Sequence, residues 1–355
     1  MTMCTPSCVP HNRLTHSIEE EQAVVRVVRS GRWSAGREVA ALESETAETA
    51  GVANAIGVGS GIGALRLALL ALDTVPGSRI AVPAYACVAL ANAVLALGAT
   101  PVPLDVEPET WVLSRAAVAA ELATGRTLHA AIVVHTFGCP GPVAEIESLG
   151  VPVIEDCSHA FGIKPLGHLG HIAMMSLHAT KLLGAGEGGL VLTDDDALAE
   201  RIRCSRDYVD QAPAAWRLND RMTDFTAAIA RCQLARLPRT VARRAELAAR
   251  YHIQLAGLVC RLPASVEGRV WYRYAVSTAD AQSLVAHLAS YGIAAAQPVE
   301  DWCGAGITNA PMTTPVAIKA FRSLISLPLY PTLTDAEQDL VGSTLVQLLA
   351  RGSAA

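Results

Sequence analysis

Ala55-Ile56-Gly57-Val58-Gly59-Ser60-Gly61-Ile62-Gly63-Ala64-Leu65-Arg66-Leu67-Ala68-Leu69-Leu70-Ala71-Leu72 changes character in its middle. Ala55–Val58 is a short apolar run of strand length. From Gly61 onward the apolar stretch is too long for a strand and reads as a helix, with glycines at the join. The same unit recurs outward along the chain. Arg79–Val82, Pro101–Leu104, His129–Val134 and Val151–Ile154 read as strands; Val88–Leu97, Ala116–Ala123 and Val143–Leu149 read as helices between them. Ala173–Leu177 and Gly189–Leu192 extend the strand set. Apolar strands joined by helical crossovers predict an α/β fold, a mainly parallel sheet covered by helices on both faces. Helical periodicity before the sheet covers Ile18–Arg29 and Glu38–Ala50. After it come Ala197–Arg206 and the long pattern Asp224–Leu255, in which Pro238 marks a break. Beyond Cys260 the pattern changes to a strand at Val270–Ser277 and helices at Ala281–Tyr291 and Thr334–Arg351, a smaller α+β unit. The expected division is a flexible N-terminal arm (1–17), a large domain (18–250) and a small C-terminal domain (251–355).

Composition narrows the partners. Hydrophobic residues make up 51% of the chain and charged residues 17%, which suits a large interior and a buried subunit contact. A net charge of -5 with no basic cluster argues against nucleic acid. Ile80–Leu104 carries no charge, but Pro83, Asn92, Gly98, Pro101 and Pro103 interrupt it, so it reads as strand, helix and strand rather than a membrane span. The first residues lack a basic start and apolar core, and the nine cysteines show no CxxC pair; a cytoplasmic location with inert thiols is expected. Cys4, Cys8 and His11 read as part of a loose arm rather than a metal site.

Three features carry chemistry. Against 25 arginines the chain keeps three lysines, Lys164, Lys181 and Lys319. A buried lysine can lose its proton and form an imine, which a guanidinium cannot. Lys181 follows the strand Ala173–Leu177 and precedes Gly184-Ala185-Gly186-Glu187-Gly188-Gly189, although this placement fits a phosphate contact or a surface lysine equally well. Asp156 closes the strand Val151–Ile154 within Glu155-Asp156-Cys157-Ser158-His159. A carboxylate there could keep a pyridine nitrogen protonated, or merely cap the next turn. The Gly57–Gly63 loop opens a helix whose free amides suit phosphate. A dinucleotide loop would have the same look, but no acid ends the next strand, which runs into Pro83 and Ala84.

Taken together, these stretches resemble the DegT/DnrJ/EryC1/StrS family of pyridoxal-phosphate (PLP)-dependent sugar aminotransferases, over about Ile18 to Leu349. The resemblance rests on Ser30-Gly31-Arg32-Trp33-Ser34-Ala35-Gly36, Glu155-Asp156-Cys157-Ser158-His159-Ala160, Ser176-Leu177-His178-Ala179-Thr180-Lys181 with its glycine-rich follower, Asn219-Asp220-Arg221-Met222-Thr223-Asp224, and Ser326-Leu327-Pro328-Leu329-Tyr330-Pro331. It implies the fold-type I aminotransferase fold and PLP attached covalently to Lys181, which also moves the substrate proton. It implies that Asp156 pairs with the pyridine nitrogen and His159 lies near the ring hydroxyl. Ser176 and the Gly61-Ile62-Gly63 amides would hold the phosphate, and Asn219 would reach the phosphate of a neighbouring subunit, so the active sites lie at a homodimer interface. Relatives that dehydrate sugars have histidine in place of this lysine, so amino transfer is the expected outcome, from an amino-acid donor, usually glutamate, to a small-molecule ketone.

This chain also departs from the family pattern. Ile62 stands where threonine is usual and has no hydroxyl for phosphate. Cys87 falls where an aromatic ring usually stacks on the cofactor, with Tyr85 two residues earlier as a substitute or substrate contact. Gln297-Pro298-Val299-Glu300-Asp301-Trp302 replaces the usual acceptor loop. His178 is expected to touch substrate, and Arg221 to brace the Asn219 loop or bind an acidic donor. His135 is read as scaffold, and His168 and His171 lack the cysteine spacing of a zinc site. The leading expectation is a biosynthetic aminotransferase acting on a keto-sugar or keto-cyclitol. A PLP-dependent lyase on the same scaffold and a non-catalytic binding protein are the alternatives.

Overall fold

The computed structural model describes residues 9–162, 170–208, 217–258, 260–299 and 314–352. Helices α1 (Ile18–Ser30) and α2 (Arg37–Ala50) come first. They are followed by β1 (Asn54–Val58), α3 (Gly61–Ala71), β2 (Arg79–Pro83), α4 (Ala89–Leu95), β3 (Thr100–Leu104), α5 (Arg115–Ala123), β4 (Ala130–Val134), α6 (Val143–Glu147), β5 (Val153–Asp156), β6 (Ile172–Ser176), β7 (Gly189–Thr193), α7 (Asp196–Arg206) and the long α8 (Asp224–Gln254). The chain then forms β8 (Tyr274–Ser277), α9 (Ala281–Ser290), α10 (Pro315–Ser323), β9 (Leu324–Leu327) and α11 (Asp335–Gly352).

The large sheet has the order β1-β7-β6-β5-β4-β2-β3. From β6 to β3 all neighbours are parallel, as the crossover pattern predicts. β7 is antiparallel to β6 and to β1. The two reversals cancel, so β1 points the same way as β6, and α3 begins at the edge where β5 and β6 end.

Successive side chains of a strand face opposite ways, and each strand divides its residues accordingly. Ile56, Val58, Ile132, Ile154 and Met174 pack with α3, α4 and α7. Leu190, Leu192, Ala173 and Met175 pack instead with α2 and α8. This parity sends Asp156 and Ser176 to the α3 side and Glu155 to the other.

A separate core gathers around the β8–β9 pair, with Leu284, Leu288, Val341 and Leu345 from the later helices. α8 also enters it through Leu247, Ala248 and Tyr251, so the division expected at residue 250 falls inside a continuous helix. The break expected at Pro238 is absent: α8 runs through it. Proline removes one backbone bond there, while Leu234, Leu237 and Val241 on either side are held against the sheet.

The arm expected to be flexible over residues 1–17 is anchored from Val9. Val9 is 2% exposed and pairs in parallel with Ile293, and Arg13 forms an ion pair with Glu337. Residues 1–8, with Cys4 and Cys8, lie outside the described residues, as do Lys164 and His168. Helix α10 and strand β9 have no counterpart among the expected elements; β9 is four residues long, with Ser326 among three apolar side chains, too short to separate from a buried turn.

One buried acid ties the helical layers together. Asp224, 1% exposed at the start of α8, accepts from the Gly36 amide at 2.7 Å and the Glu38 amide at 2.9 Å. It thereby caps α2, whose own cap residue Gly36 has no side chain to do so. A Cβ on Gly36 would lie 2.8 Å from Asp224 Oδ1, so the close approach requires glycine. Asp224→Ala strands two donors and should lower stability by about 2–4 kcal/mol in denaturant titration. Gly36→Ala should be destabilising through the clash.

Candidate active site

At the carboxyl edge of the sheet a cavity of about 620 Å³ opens between the two cores. Its floor comes from strand ends. Asp156, the last residue of β5, is 6% exposed, and its Oδ1 accepts from the Ser158 amide at 2.9 Å. Ser176 ends β6, its amide donating to Ser158 Oγ at 2.9 Å. Gly61 and Ile62 open α3 beside it. The Gly61 approach is tight: an added Cβ would lie 2.7 Å from Ser176 Cβ. Ser60 caps α3 by accepting from the Gly63 amide, which leaves the first amides of the helix, at its positive end, facing Ser176.

Lys181 sits in the loop between β6 and β7. That loop is cross-braced by Leu177 N–H to Gly188 O at 2.9 Å, Ala179 N–H to Gly186 O at 2.8 Å and Ala185 N–H to Leu177 O at 2.9 Å. The Lys181 Nζ lies 3.0 Å from His159 Nε2. Burial, followed by the charges of Lys181 and Arg273, holds the His159 imidazole well below its usual range. A neutral ring accepts from the ammonium at Nε2 and keeps its proton on Nδ1, and Nδ1 is buried with no partner among the described residues. His159 is stacked on Tyr272, with centroids 4.2 Å apart and planes 13° apart.

The remaining expected site residues divide. Tyr85, Cys87 and His178 line the cavity. Tyr85 is buried and meets Phe137 edge-on, a wall packed from behind, whereas the Cys87 thiol is exposed. Of the unusual loop, Gln297, Pro298 and Val299 reach the cavity; Glu300, Asp301 and Trp302 lie outside the described residues. Asn219 and Arg221 are not brought to it. Asn219 is exposed, and the Arg221 guanidinium lies over the Tyr208 ring and bonds its hydroxyl. They flank Asp220, whose carbonyl accepts from the Gly59 amide at 2.7 Å. His135 is scaffold: its Nε2 meets Glu155 at 2.8 Å, and its Nδ1 accepts from the Gly141 amide, on the other face of the sheet. His171 pairs with Glu147.

His11, Tyr272 and Arg273 also line the cavity, and the sequence analysis does not place them there. Only Tyr274–Ser277 of the expected strand 270–277 is regular; Tyr272 and Arg273, just before it, line the cavity. The available signal was a charge, Arg273, set in the apolar run Val270-Trp271-Tyr272-Arg273-Tyr274-Ala275-Val276.

A lysine, a buried carboxylate and a set of free helix amides converging at one sheet edge define an α/β enzyme built around a phosphorylated cofactor. The DegT/DnrJ/EryC1/StrS aminotransferase family profile matches residues 15–346, and the chain belongs to this family. It is similar to the dTDP-3-amino-3,4,6-trideoxy-alpha-D-glucose transaminase of Streptomyces venezuelae, 35% identical over 290 residues, 78% of this chain and 76% of that protein. Among solved structures it resembles S. venezuelae DesV in complex with a ketimine intermediate (TM-score 0.86, 32% identity, 94% of each chain covered). It also resembles the aminotransferase TlmJ from Streptoalloteichus hindustanus (TM-score 0.89, 28% identity, 98% of this chain and 99% of that one).

The partly buried imidazoles make stability depend on pH. Burial, then the Arg273 charge, lowers His11 from 6.5 to about 4, and His159 shifts the same way. Unfolding frees these rings to bind protons at their ordinary value, so the unfolded chain holds more protons between about pH 4 and 6.5, and stability falls as pH drops through that window. His11 alone should contribute a loss of about 2 kcal/mol between about pH 7.5 and about pH 5. Urea midpoints at the two pH values check this, and His11→Gln should shrink the difference.

Proposed function

We propose that this chain transfers an amino group from an amino-acid donor, L-glutamate first among them, to a ketone on a sugar or cyclitol, with PLP bound in the cavity at the sheet edge. The observation that carries this reading is Lys181 Nζ, 3.0 Å from a neutral imidazole, in the cavity lined by Asp156 and Ser176. The sugar transaminase relative supports the acceptor class.

The residues present fit the cofactor. The Gly61 and Ile62 amides at the start of α3 face Ser176, a cradle that a Cβ on Gly61 would fill. Asp156 has one oxygen engaged by Ser158 and a second for a ring nitrogen. The orphaned His159 Nδ1 proton suits a ring oxygen. When bound, PLP supplies an electron sink for charge developing at the donor's α-carbon. Asp156 would hold the ring nitrogen protonated, and Ser176 with the helix amides would hold the phosphate. Lys181 would be the covalent anchor and the base for the α-carbon proton. His159 orients the amine of Lys181. Ile62 contributes its amide alone, while Cys87 and Tyr85 wall the ring and His178 faces the substrate.

We infer a homodimer from the exposed Asn219, which lies outside its own cavity and is available to a neighbouring copy; Arg221 braces its loop. A cytoplasmic location is supported by cysteines that form no disulfide among the described residues. No helix among the described residues is long and apolar enough to cross a membrane.

L-glutamate added to the PLP-loaded protein should convert the yellow form to the pyridoxamine form and release 2-oxoglutarate; no conversion with any common amino acid would overturn the reading. Borohydride should fix the cofactor on Lys181, seen by peptide mass. Lys181→Ala should abolish that adduct and slow the half-reaction by about 10³-fold or more. Gly61→Ala should weaken cofactor binding by at least about tenfold, measured by absorbance titration, with the fold retained.

A further inference from the structure

Arginines in this chain mostly meet acids. Arg231 binds Glu38 and Glu45, Arg206 binds Glu43, and Arg79 binds Glu121. Arg273 does not, although it faces the cavity. Among the described residues it forms no ion pair; Nη1 lies 3.0 Å from His11 Nε2, and its Nε and Nη2 make no hydrogen bond. Its neighbour Arg244 also lacks an acid, but is buried and donates to the carbonyls of Tyr272 and Leu329, both at 2.9 Å. Positive charge therefore surrounds Tyr272 from three sides. Burial pushes that phenol up, yet Lys181 and Arg273, then a bond with Thr180 and the Arg244 charge, bring it below its ordinary value.

His11 fixes Arg273 without neutralising it. The ring is uncharged near neutral pH and is itself held by Ser326 Oγ at 2.9 Å. Ser326 lies on β9, with its amide and carbonyl both bonded to Ala296. Arg273 directly precedes β8, whose Tyr274 pairs with Leu327. The guanidinium is thus presented beside the small sheet, and Lys181 comes from the large domain; both lie against the Tyr272 ring. Lys181 Nζ lies 5.5 Å and Arg273 Cζ 5.3 Å from its centroid. A planar fork with two unused donor atoms matches a carboxylate.

We propose that Arg273 grips a carboxylate of the amino-acid donor, and that His11, reaching in from the N-terminal segment, is its positioning residue. This rests on the reading of the cavity as an amino-transfer site. The donor's amine then lies towards Lys181 and its carboxylate towards the small sheet.

The test uses the PLP-loaded protein with glutarate, a dicarboxylate that has no amine to react. Calorimetry should show that glutarate binds and that Arg273→Gln weakens it by about tenfold to hundredfold. Arg273→Lys should recover part of the loss, and His11→Ala should lose less than Arg273→Gln. In the half-reaction, Arg273→Gln should raise the half-saturating L-glutamate concentration by a like factor and change the limiting rate by less than about threefold. The visible spectrum of the bound cofactor should not change. The assignment fails if glutarate does not bind the parent protein, if Arg273→Gln leaves both constants alone, or if that variant weakens only inorganic pyrophosphate, which would make the guanidinium a phosphate contact for the acceptor. If L-glutamate never converts the parent protein, the amino-transfer reading falls, and glutarate binding still decides the role of Arg273.

Discussion

β7 runs against the other strands of its sheet, and the meeting of the site's parts depends on that reversal. If β1 paired directly and antiparallel with β6, α3 would open at the opposite edge, far from Asp156 and Ser176. Because β7 intervenes, the strand before α3 is turned back into the common direction. The partial positive charge of a helix start, a serine hydroxyl and a buried carboxylate then share one edge. Side-chain parity does the rest, since Asp156 and Ser176 face α3 while Glu155 turns away to meet His135.

Much of this was legible. Ala55–Leu72 fixes a strand-turn-helix by its change of period, and its repetition fixes the class of sheet. Lys181 stood out because lysine is scarce, and Asp156 because it ends an apolar strand. What could not be read were effects of pairing between distant segments. The direction of β7 leaves no trace in its own composition. Val9 reads as a residue in a loose terminus until Ile293 is beside it. Pro238 signals a break by local rules, yet packing on either side overrides one lost hydrogen bond. Asn219 and Arg221 lie in a motif that suggests a site, and their place outside this cavity follows from the way Gly59 binds the Asp220 carbonyl.

Charge is arranged with the same economy. The cavity's cations, Lys181 and Arg273, touch imidazoles that burial keeps neutral. A carboxylate in either place would hold the cation more tightly but cancel its field. A neutral ring sets position and leaves the charge available to an incoming anion.

α8 belongs to both cores. Its first turns pack under the large sheet through Ala227, Ala230 and Leu234, and its last turns enter the small core through Leu247, Ala248 and Tyr251. Between them Arg244 reaches the carbonyls on either side of the cavity's Tyr272 wall. A 31-residue helix spans about 46 Å at the usual rise per residue, and a rod of that length bends far less readily than a loop. The two halves are therefore joined by a strut rather than a string. Heat should melt them as one cooperative body.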